Sequence, residues 1–268
     1  QIVDALESGK MIKENQNKEF VIGVDALPNF PKDTTDRNRT SSFAFTGNKF
    51  EFRSLGSADT ISCTNYILNT IVAKEFKEFA DELENSTDFA SDLYKLLVKT
   101  IKEHKRVIFN GNGYDDAWVE EAKRRGLPNY VSTVDAVEHY DDEKNIKLFE
   151  EFKVLSKTEV ESRREILLDN YSKIINIEAL TMLDMAKKQI VPAAFKFSKQ
   201  LADSMVSKNT IGVNFDAEKK LADKVSSLTN EVLAGVDVLD AKLIDSKAKT
   251  DTLENARFFR EEVFSAMQ

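Results

Sequence analysis

Residues 158–185 read TEVESRREILLDNYSKIINIEALTMLDM, and this stretch decides the fold class. Its apolar side chains recur at steps of three and four, which is the spacing of one face of an α-helix. The residues of this series are Leu167, Tyr171, Ile174, Ile177 and Leu180. The pattern continues from Thr158 to about Lys208, so we predict one long helix. Pro192 should kink it, because proline lacks the backbone N–H and clashes with the preceding turn.

The rest of the C-terminal part repeats this helical pattern. Apolar residues at nearly heptad spacing predict a second long helix: Leu221, Val225, Leu228, Val232, Leu239 and Leu243. With residues 209–216 as their connection, the two helices should form an antiparallel hairpin. A last helix is predicted from about Asp251. We therefore assign 156–268 to a helical hairpin or bundle.

Shorter elements are predicted before residue 156. A short helix lies within 1–18, and a loop containing Pro28 and Pro31 follows it. Amphipathic helices are predicted at about 65–83 and 88–104, and short helices near 115–126, 133–139 and 142–151. We divide this part into a first domain, 1–104, and a connecting segment of short helices, 105–155.

Composition excludes several classes of protein. The chain has 268 residues, 41% hydrophobic and 31% charged, with only 9 Gly and 4 Pro, which favours a helix-rich globular protein. A net charge of −8 argues against a nucleic-acid partner. No apolar run approaches the roughly 20 residues of a membrane span, and no signal peptide is visible. Cys63 is the only cysteine, which excludes an internal disulfide, and we predict a cytoplasmic protein.

The stretch 36–53, DRNRTSSFAFTGNKFEFR, has the pattern of a β-hairpin at about 42–54. Phenylalanines alternate with other residues on both sides of Gly47-Asn48, a favoured two-residue turn. Alternation puts the phenylalanines on one face, apolar enough to anchor in a core, and Lys49, Glu51 and Arg53 on the other. A carboxylate between two cations suits metal and phosphate chemistry. The predicted fold class is therefore mainly α with a small β-hairpin (α+β).

Each candidate site residue also has an ordinary structural interpretation. Glu51 could be an exposed strand glutamate paired with Lys49 or Arg53, and Arg39 a solvated loop arginine, although Arg37 adds to a cationic cluster. The stretch 110–113, NGNG, lacks the spacing of a phosphate-binding loop and is interpreted as a tight turn. His104, His139 and Cys63 have no metal-ligand or base partner at suitable spacing.

Several of these stretches resemble one enzyme family. The late catalytic motif of glutamine synthetases is similar to Asn38-Arg39-Thr40 followed by Lys49-Phe50-Glu51-Phe52-Arg53. The longer stretch of sequence around this motif resembles the long type III members in particular. The similarity continues in 65–73 (NYILNTIVA), 109–114 (FNGNGY) and 178–186 (EALTMLDMA), in the same order. It covers the chain from about residue 20 to the end.

The resemblance implies ATP-dependent ligation of ammonia to glutamate through a γ-glutamyl phosphate, with ATP and Mg²⁺ or Mn²⁺ as cofactors. It implies Glu51 as a metal ligand and Arg39 as a contact to nucleotide phosphate. It implies Arg53 as the contact to the substrate carboxylate or the transferred phosphoryl group, with Lys49 on the nucleotide side. Glutamate and ammonia would be the substrates, and the enzyme would be a homo-oligomer of stacked rings without membrane or nucleic-acid partners.

The chain also departs from the family pattern. Ala44 stands where many members carry a further arginine, five residues after Arg39. The early paired-glutamate metal motif, a His-Gly-Leu-His type segment and a flap glutamate are not found in the sequence. Since the chain also begins without Met, we expect it to be the C-terminal part of a larger enzyme, inactive alone. The alternative is a non-enzymatic helical scaffold or partner-binding module, and a regulatory role for the C-terminal helices fits both.

Overall fold

The structure, a computed structural model, describes residues 2–9, 19–20, 30–31, 43–45, 50–52, 56, 59–109 and 115–268. The chain divides into two compact units, Gln1–Asn129 and Tyr130–Gln268. Helices make up most of the described residues, and the described strands form two short antiparallel pairs. The predicted class, mainly α with a small β-hairpin, is confirmed.

Unit 1 contains short strands and amphipathic helices. Its described helices are α1 (Ile2–Ser8), α2 (Ser62–Leu83), α3 (Phe89–His104) and α4 (Asp116–Arg124). The segment after α3 is a 3₁₀ turn at Lys105–Val107. Lys105 binds Asp4 at 3.1 Å and also pairs with Glu7, which fastens α1 to the end of α3.

The strands of unit 1 are β1 (Glu19–Phe20), β2 (Phe30–Pro31), β3 (Phe43–Phe45) and β4 (Phe50–Phe52). β3 and β4 form the predicted hairpin. β1 and β2 also pair antiparallel, where the sequence predicted only a loop, and that prediction was wrong. Two-residue strands are too short to show alternation, and Pro31 is compatible with a strand that has an open edge.

Helix α4 is held to the end of α3 by one arginine. The Arg125 guanidinium donates to the carbonyl of Arg106 at 3.2 Å and to that of Ile108 at 3.0 Å. The Glu121 carboxylate accepts from Arg125 at 2.5 Å and from Arg124 at 2.7 Å. This pair of cations lowers the pKa of Glu121 to about 2.

Aromatic stacking supports the same contact. The rings of Phe109 and Trp118 stack with centroids 3.8 Å apart, and the Arg125 guanidinium lies 5.3 Å from the Trp118 ring centroid. Helix α4 begins where the Asp115 carboxylate accepts from the N–H of Ala117 at 2.9 Å, which caps the helix.

Unit 2 is helical throughout its regular structure. Its helices are α5 (Thr133–Val137), α6 (Glu143–Glu151), α7 (Lys157–Met185), α8 (Val191–Thr210), α9 (Asp216–Ser246), α10 (Thr252–Phe258) and α11 (Phe264–Met267). A π-helical turn, Ala186–Ile190, joins α7 to α8, and another, Phe259–Val263, joins α10 to α11. The disturbance expected at Pro192 thus takes the form of a π turn that ends two residues before it.

Two apolar clusters form the core of unit 2. The larger joins the second half of α7 to α9 and the turn before α11, through residues such as Ala179, Leu183, Leu239 and Val263. The smaller joins α7 to α5 and α10 around Leu168, which is completely buried. A capping box between Ser156 and Glu159 starts α7 and satisfies its first backbone N–H groups.

Helix α7 has a second apolar face that the described part of the chain leaves uncovered. Ile174, Ile177 and Leu180, all members of the series that predicted the helix, are 56%, 62% and 51% exposed. The buried face lies next to this series and contains Leu168, Ile175 and Ala179. A helix apolar on both sides is typical of an element enclosed by neighbours on both sides.

Helices α8 and α9 form the predicted antiparallel hairpin. Lys208 pairs with Glu218 beside the connection, and Lys187, just before α8, pairs with Asp240 near the other end of α9. As the residue numbers of the lysines in these two ion pairs rise, those of their acidic partners fall, so the two helices are antiparallel. The connection is Ile211–Phe215, within the predicted 209–216.

The described residues of unit 1 bury little apolar surface. Their buried positions are Thr70, Leu96 and Ala122. In α2, Ile71 and Phe76 belong to the apolar pattern that predicted the helix, yet they are 43% and 69% exposed. The described elements of unit 1 therefore present apolar faces that they do not bury against each other.

We expect Leu168→Ala to lower the unfolding free energy of unit 2 by about 2–5 kcal/mol, because it leaves a cavity at a fully buried position. Ile177→Ala, in the same helix but 62% exposed, should cost much less. Urea unfolding followed by circular dichroism measures both. Equal losses for the two variants would contradict the assignment of the buried face.

The Glu121 carboxylate should titrate far below an ordinary glutamate. Its folded pKa of about 2 lies below the ordinary glutamate pKa of 4.5, so its ion pairs stabilise the fold above pH 4.5 and are lost as the pH falls toward 2. Carboxyl resonances followed by NMR over this range give the pKa directly. Arg124→Ala should raise it, since Arg124 is the largest cause of the shift. A Glu121 pKa that stays near 4.5 in the unsubstituted protein would contradict this pairing.

Candidate functional site

The hairpin that carries the predicted site residues has a defined strand register. Phe43 pairs with Phe52, Ala44 with Glu51 and Phe45 with Phe50. This is the register that a two-residue turn at Gly47-Asn48 produces, although the turn itself lies outside the described residues. The backbone pairing that the sequence predicts is therefore present.

Glu51 lies in the middle of β4. Because successive strand residues point to opposite faces, its side chain projects away from the face that carries Phe50 and Phe52. Glu51 is half-buried, while Phe50 and Phe52 are 60% and 44% exposed. The expectation that the phenylalanine face anchors in a core is not met for these two side chains within the described part of the chain.

The cationic partners predicted for Glu51 lie outside the described residues. They are Arg37, Arg39, Lys49 and Arg53. The structure therefore positions the carboxylate of the predicted set and the strand that carries it. The role of each of these five residues remains a prediction.

Glu51 alone does not make a metal site. Among the described residues, no three His, Cys, Asp or Glu side chains converge as a metal ion would require. A carboxylate on a strand suits Mg²⁺ as one ligand, but octahedral Mg²⁺ needs further oxygen ligands or water. The described residues thus fit a contribution to a metal site rather than a complete one.

The other chemically capable side chains have structural neighbours. His139 stacks on Tyr130 with ring centroids 4.6 Å apart and lies 3.5 Å from Asp142. His104 is exposed and lies 4.0 Å from Glu103. The Cys63 thiol is 3.2 Å from the Tyr66 hydroxyl. The loop at 110–113 is outside the described residues.

An open groove between α1 and α3 was not anticipated. Its volume is about 630 Å³, and three lysines at helical spacing line it: Lys95, Lys99 and Lys102. Lys95 already pairs with Asp92 at 2.9 Å and Lys99 with Glu82 at 3.3 Å, which weakens the groove as an anion site. The spacing of the three lysines was the sequence signal that could have indicated it.

Comparison with known families gives one domain match. The model of the glutamine synthetase C-terminal domain matches residues 92–209, from the first turn of α3 to the end of α8. The β3–β4 hairpin lies before this range. None of the described helices combines the length and apolar character that crossing a membrane requires.

Curated relatives extend the similarity to the hairpin. A type-3 glutamine synthetase of Dictyostelium discoideum is 46% identical over 189 residues, covering 69% of this chain and 26% of that protein. A glutamine synthetase of Butyrivibrio fibrisolvens is 35% identical over 286 aligned residues, covering 100% of this chain and 38% of that protein. A glutamine synthetase of Bacteroides fragilis (strain YCH46) is 29% identical, covering 99% and 37%.

The chain thus spans between 26% and 38% of the length of these relatives. The domain match covers the motifs at 109–114 and 178–186, and two of the relatives align over the whole chain or nearly so, including Asn38–Arg53. The predicted resemblance is confirmed: residues 92–209 match the glutamine synthetase C-terminal domain, and the chain is similar to glutamine synthetases, among them one of type 3.

Proposed function

We propose that the chain is the C-terminal part of a type III glutamine synthetase that ligates ammonia to glutamate at the expense of ATP. In this reaction the γ-carboxylate of glutamate attacks the γ-phosphorus of ATP, and ADP leaves. Ammonia then attacks the γ-glutamyl phosphate and displaces phosphate. Residues 1–104 would belong to the catalytic part, and 156–268 would form the helical extension, with 105–155 connecting them.

One observation carries this proposal. The register of β3 and β4 turns Glu51 away from the Phe50 and Phe52 face, within a basic-X-Glu-X-Arg sequence. That alternation is what a strand needs to direct a carboxylate and its neighbouring cations toward one cleft. The relatives that align with the hairpin are named glutamine synthetases, which supports the same reaction.

The proposed roles follow from the chemistry of each side chain. Arg39 and Lys49 would bind nucleotide phosphates, and Arg53 would bind the substrate carboxylate or the transferred phosphoryl group. A guanidinium suits both contacts, because its planar donors match carboxylate and phosphate oxygens in pairs. The bound metal would neutralise charge on the phosphates, and Glu51 would hold one side of it.

The competing function is a scaffold or partner-binding module. It is favoured by the apolar faces that the described helices leave exposed, such as Ile174 and Ile177 in α7. Those faces are equally expected in a piece that packs against the remainder of a longer enzyme. Activity measurements on variants of the hairpin separate the two functions, because a scaffold does not need Glu51.

The 268-residue chain alone should lack synthetase activity. The described residues contribute one carboxylate of the proposed metal site, and ATP cannot be held for transfer without the others. We expect no γ-glutamyl hydroxamate above the blank from protein whose circular dichroism shows folded helices. Hydroxamate that forms in proportion to the amount of the purified chain would contradict this expectation.

Glu51→Gln in the longer synthetase should lower kcat about 10²- to 10³-fold, the scale on which one preorganised electrostatic group contributes. The substitution keeps the size of the side chain and removes its charge. Glu161→Gln, on the exposed side of α7, serves as the control and should leave kcat unchanged. Both variants should keep the helix content and oligomeric state of the parent enzyme.

The measurement is release of phosphate that depends on glutamate and ammonia at saturating ATP and Mg²⁺. Unchanged kcat in the Glu51→Gln enzyme would exclude Glu51 from the metal site. A loss of similar size in Glu161→Gln would point to damage of the fold instead.

A further inference from the structure

The two long faces of the α8–α9 hairpin differ in charge. Along α9, Leu221, Leu228 and Val232 are 42%, 49% and 39% exposed, and they lie on one stripe because they are seven and four residues apart. The antiparallel register of the ion pairs places Phe197 of α8, 41% exposed, level with Leu228 on the same side. We call this side the stripe face; its other members are Ser204 of α8 and Ala217 and Gly235 of α9.

Charged side chains avoid the centre of the stripe face. Lys224 and Glu231 stand at its outer border, one helical heptad apart. The opposite side of the hairpin carries charges along its length, and they are Lys199, Lys219, Asp223 and Asp237. Depletion of charge around exposed aromatic and aliphatic side chains distinguishes the core of a protein interface from ordinary surface.

We propose that the stripe face is the contact surface for a second copy of this chain, packed about a twofold axis close to Leu228. In an antiparallel pair of α9 helices centred midway between Ser227 and Leu228, Lys224 of one copy meets Glu231 of the other, and the reverse contact follows by symmetry. Border charges of opposite sign and equal distance from the axis suit a self-complementary contact. This inference is independent of the ligase chemistry.

The size of the face is sufficient for a specific contact. From Ala217 to Gly235 α9 rises about 27 Å, at 1.5 Å per residue, and two helices side by side are about 20 Å wide. Two copies would therefore cover about 1,100 Å² in projection, at the lower limit of specific interfaces. The dimer should form reversibly with concentration.

The existing contacts of the charged side chains indicate which of them can form ion pairs between the two copies. Glu231 accepts a hydrogen bond from the Ser227 hydroxyl at 3.2 Å. This contact is exposed and weak, so Lys224 of the other copy can take the place of Ser227. Lys208, at the inner edge, is already paired with Glu218 inside the hairpin. The symmetrical pairs between copies are thus left to Lys224 and Glu231.

The first test compares two aspartate substitutions in α9. Leu228→Asp puts a charge at the proposed axis and should raise the dimer dissociation constant at least about tenfold. Ile244→Asp, at a residue that is 65% exposed and about 160° away around the same helix, should leave it unchanged. Sedimentation equilibrium of the 268-residue chain measures the constant, and circular dichroism checks that both variants stay helical.

The second test uses charge reversal. Lys224→Glu and Glu231→Lys should each weaken the dimer, because each places like charges opposite one another twice. An equimolar mixture of the two variants should recover dimerisation, since both pairs between unlike copies are then attractive. Failure of the mixture to recover would overturn the proposed arrangement.

Two further results would overturn the proposal. The unsubstituted chain could remain monomeric at all concentrations, in which case the stripe face would belong to a different polypeptide. Alternatively, its dimer could be as sensitive to Ile244→Asp as to Leu228→Asp, which would place the contact elsewhere.

Discussion

The packing of one face of α7 is the constraint on which unit 2 depends. Ala179 and Val263 are completely buried at this contact, together with Leu239 of α9. Both π turns supply residues to the same cluster: Ala186 from the first, and Phe259 and Val263 from the second. A π turn adds one residue to the helix and so rotates the following side chains. The two irregularities therefore lie where the core needs a change of helical phase.

Periodicity predicted the long helices better than it predicted which side of them is covered. The capping residues Ser156 and Asp251 and the connection between α8 and α9 are local signals, and the helices begin and end close to where these signals indicate. In α7, however, the last three members of the series, Ile174, Ile177 and Leu180, are exposed, and the neighbouring face is buried. A helix apolar on both sides offers two solutions, and spacing alone cannot choose between them.

The candidate site shows the same division between local and distant causes. The register of β3 and β4 follows from Gly47-Asn48 and the alternation of phenylalanines, so it could be predicted. The pairing of β1 with β2 could not, because two residues carry no period. The exposure of Phe50 and Phe52 could not be predicted either, since it depends on which elements lie against the hairpin. A sequence pattern specifies the face of a strand but not the surface that covers it.

A two-stranded hairpin is marginally stable by itself, and needs packing on its apolar face to hold its side chains in place. In the described part of the chain, Phe50 and Phe52 are 60% and 44% exposed, and no three metal-ligating side chains converge. If the proposed function is correct, the rest of the enzyme supplies both the surface that covers the phenylalanines and the further ligands of the metal. The surface that covers the phenylalanines fixes β4, and a fixed β4 holds Glu51 where other carboxylates can share an ion with it. Folding of the hairpin and assembly of the site would then be the same event, which explains why the strand pattern carries both.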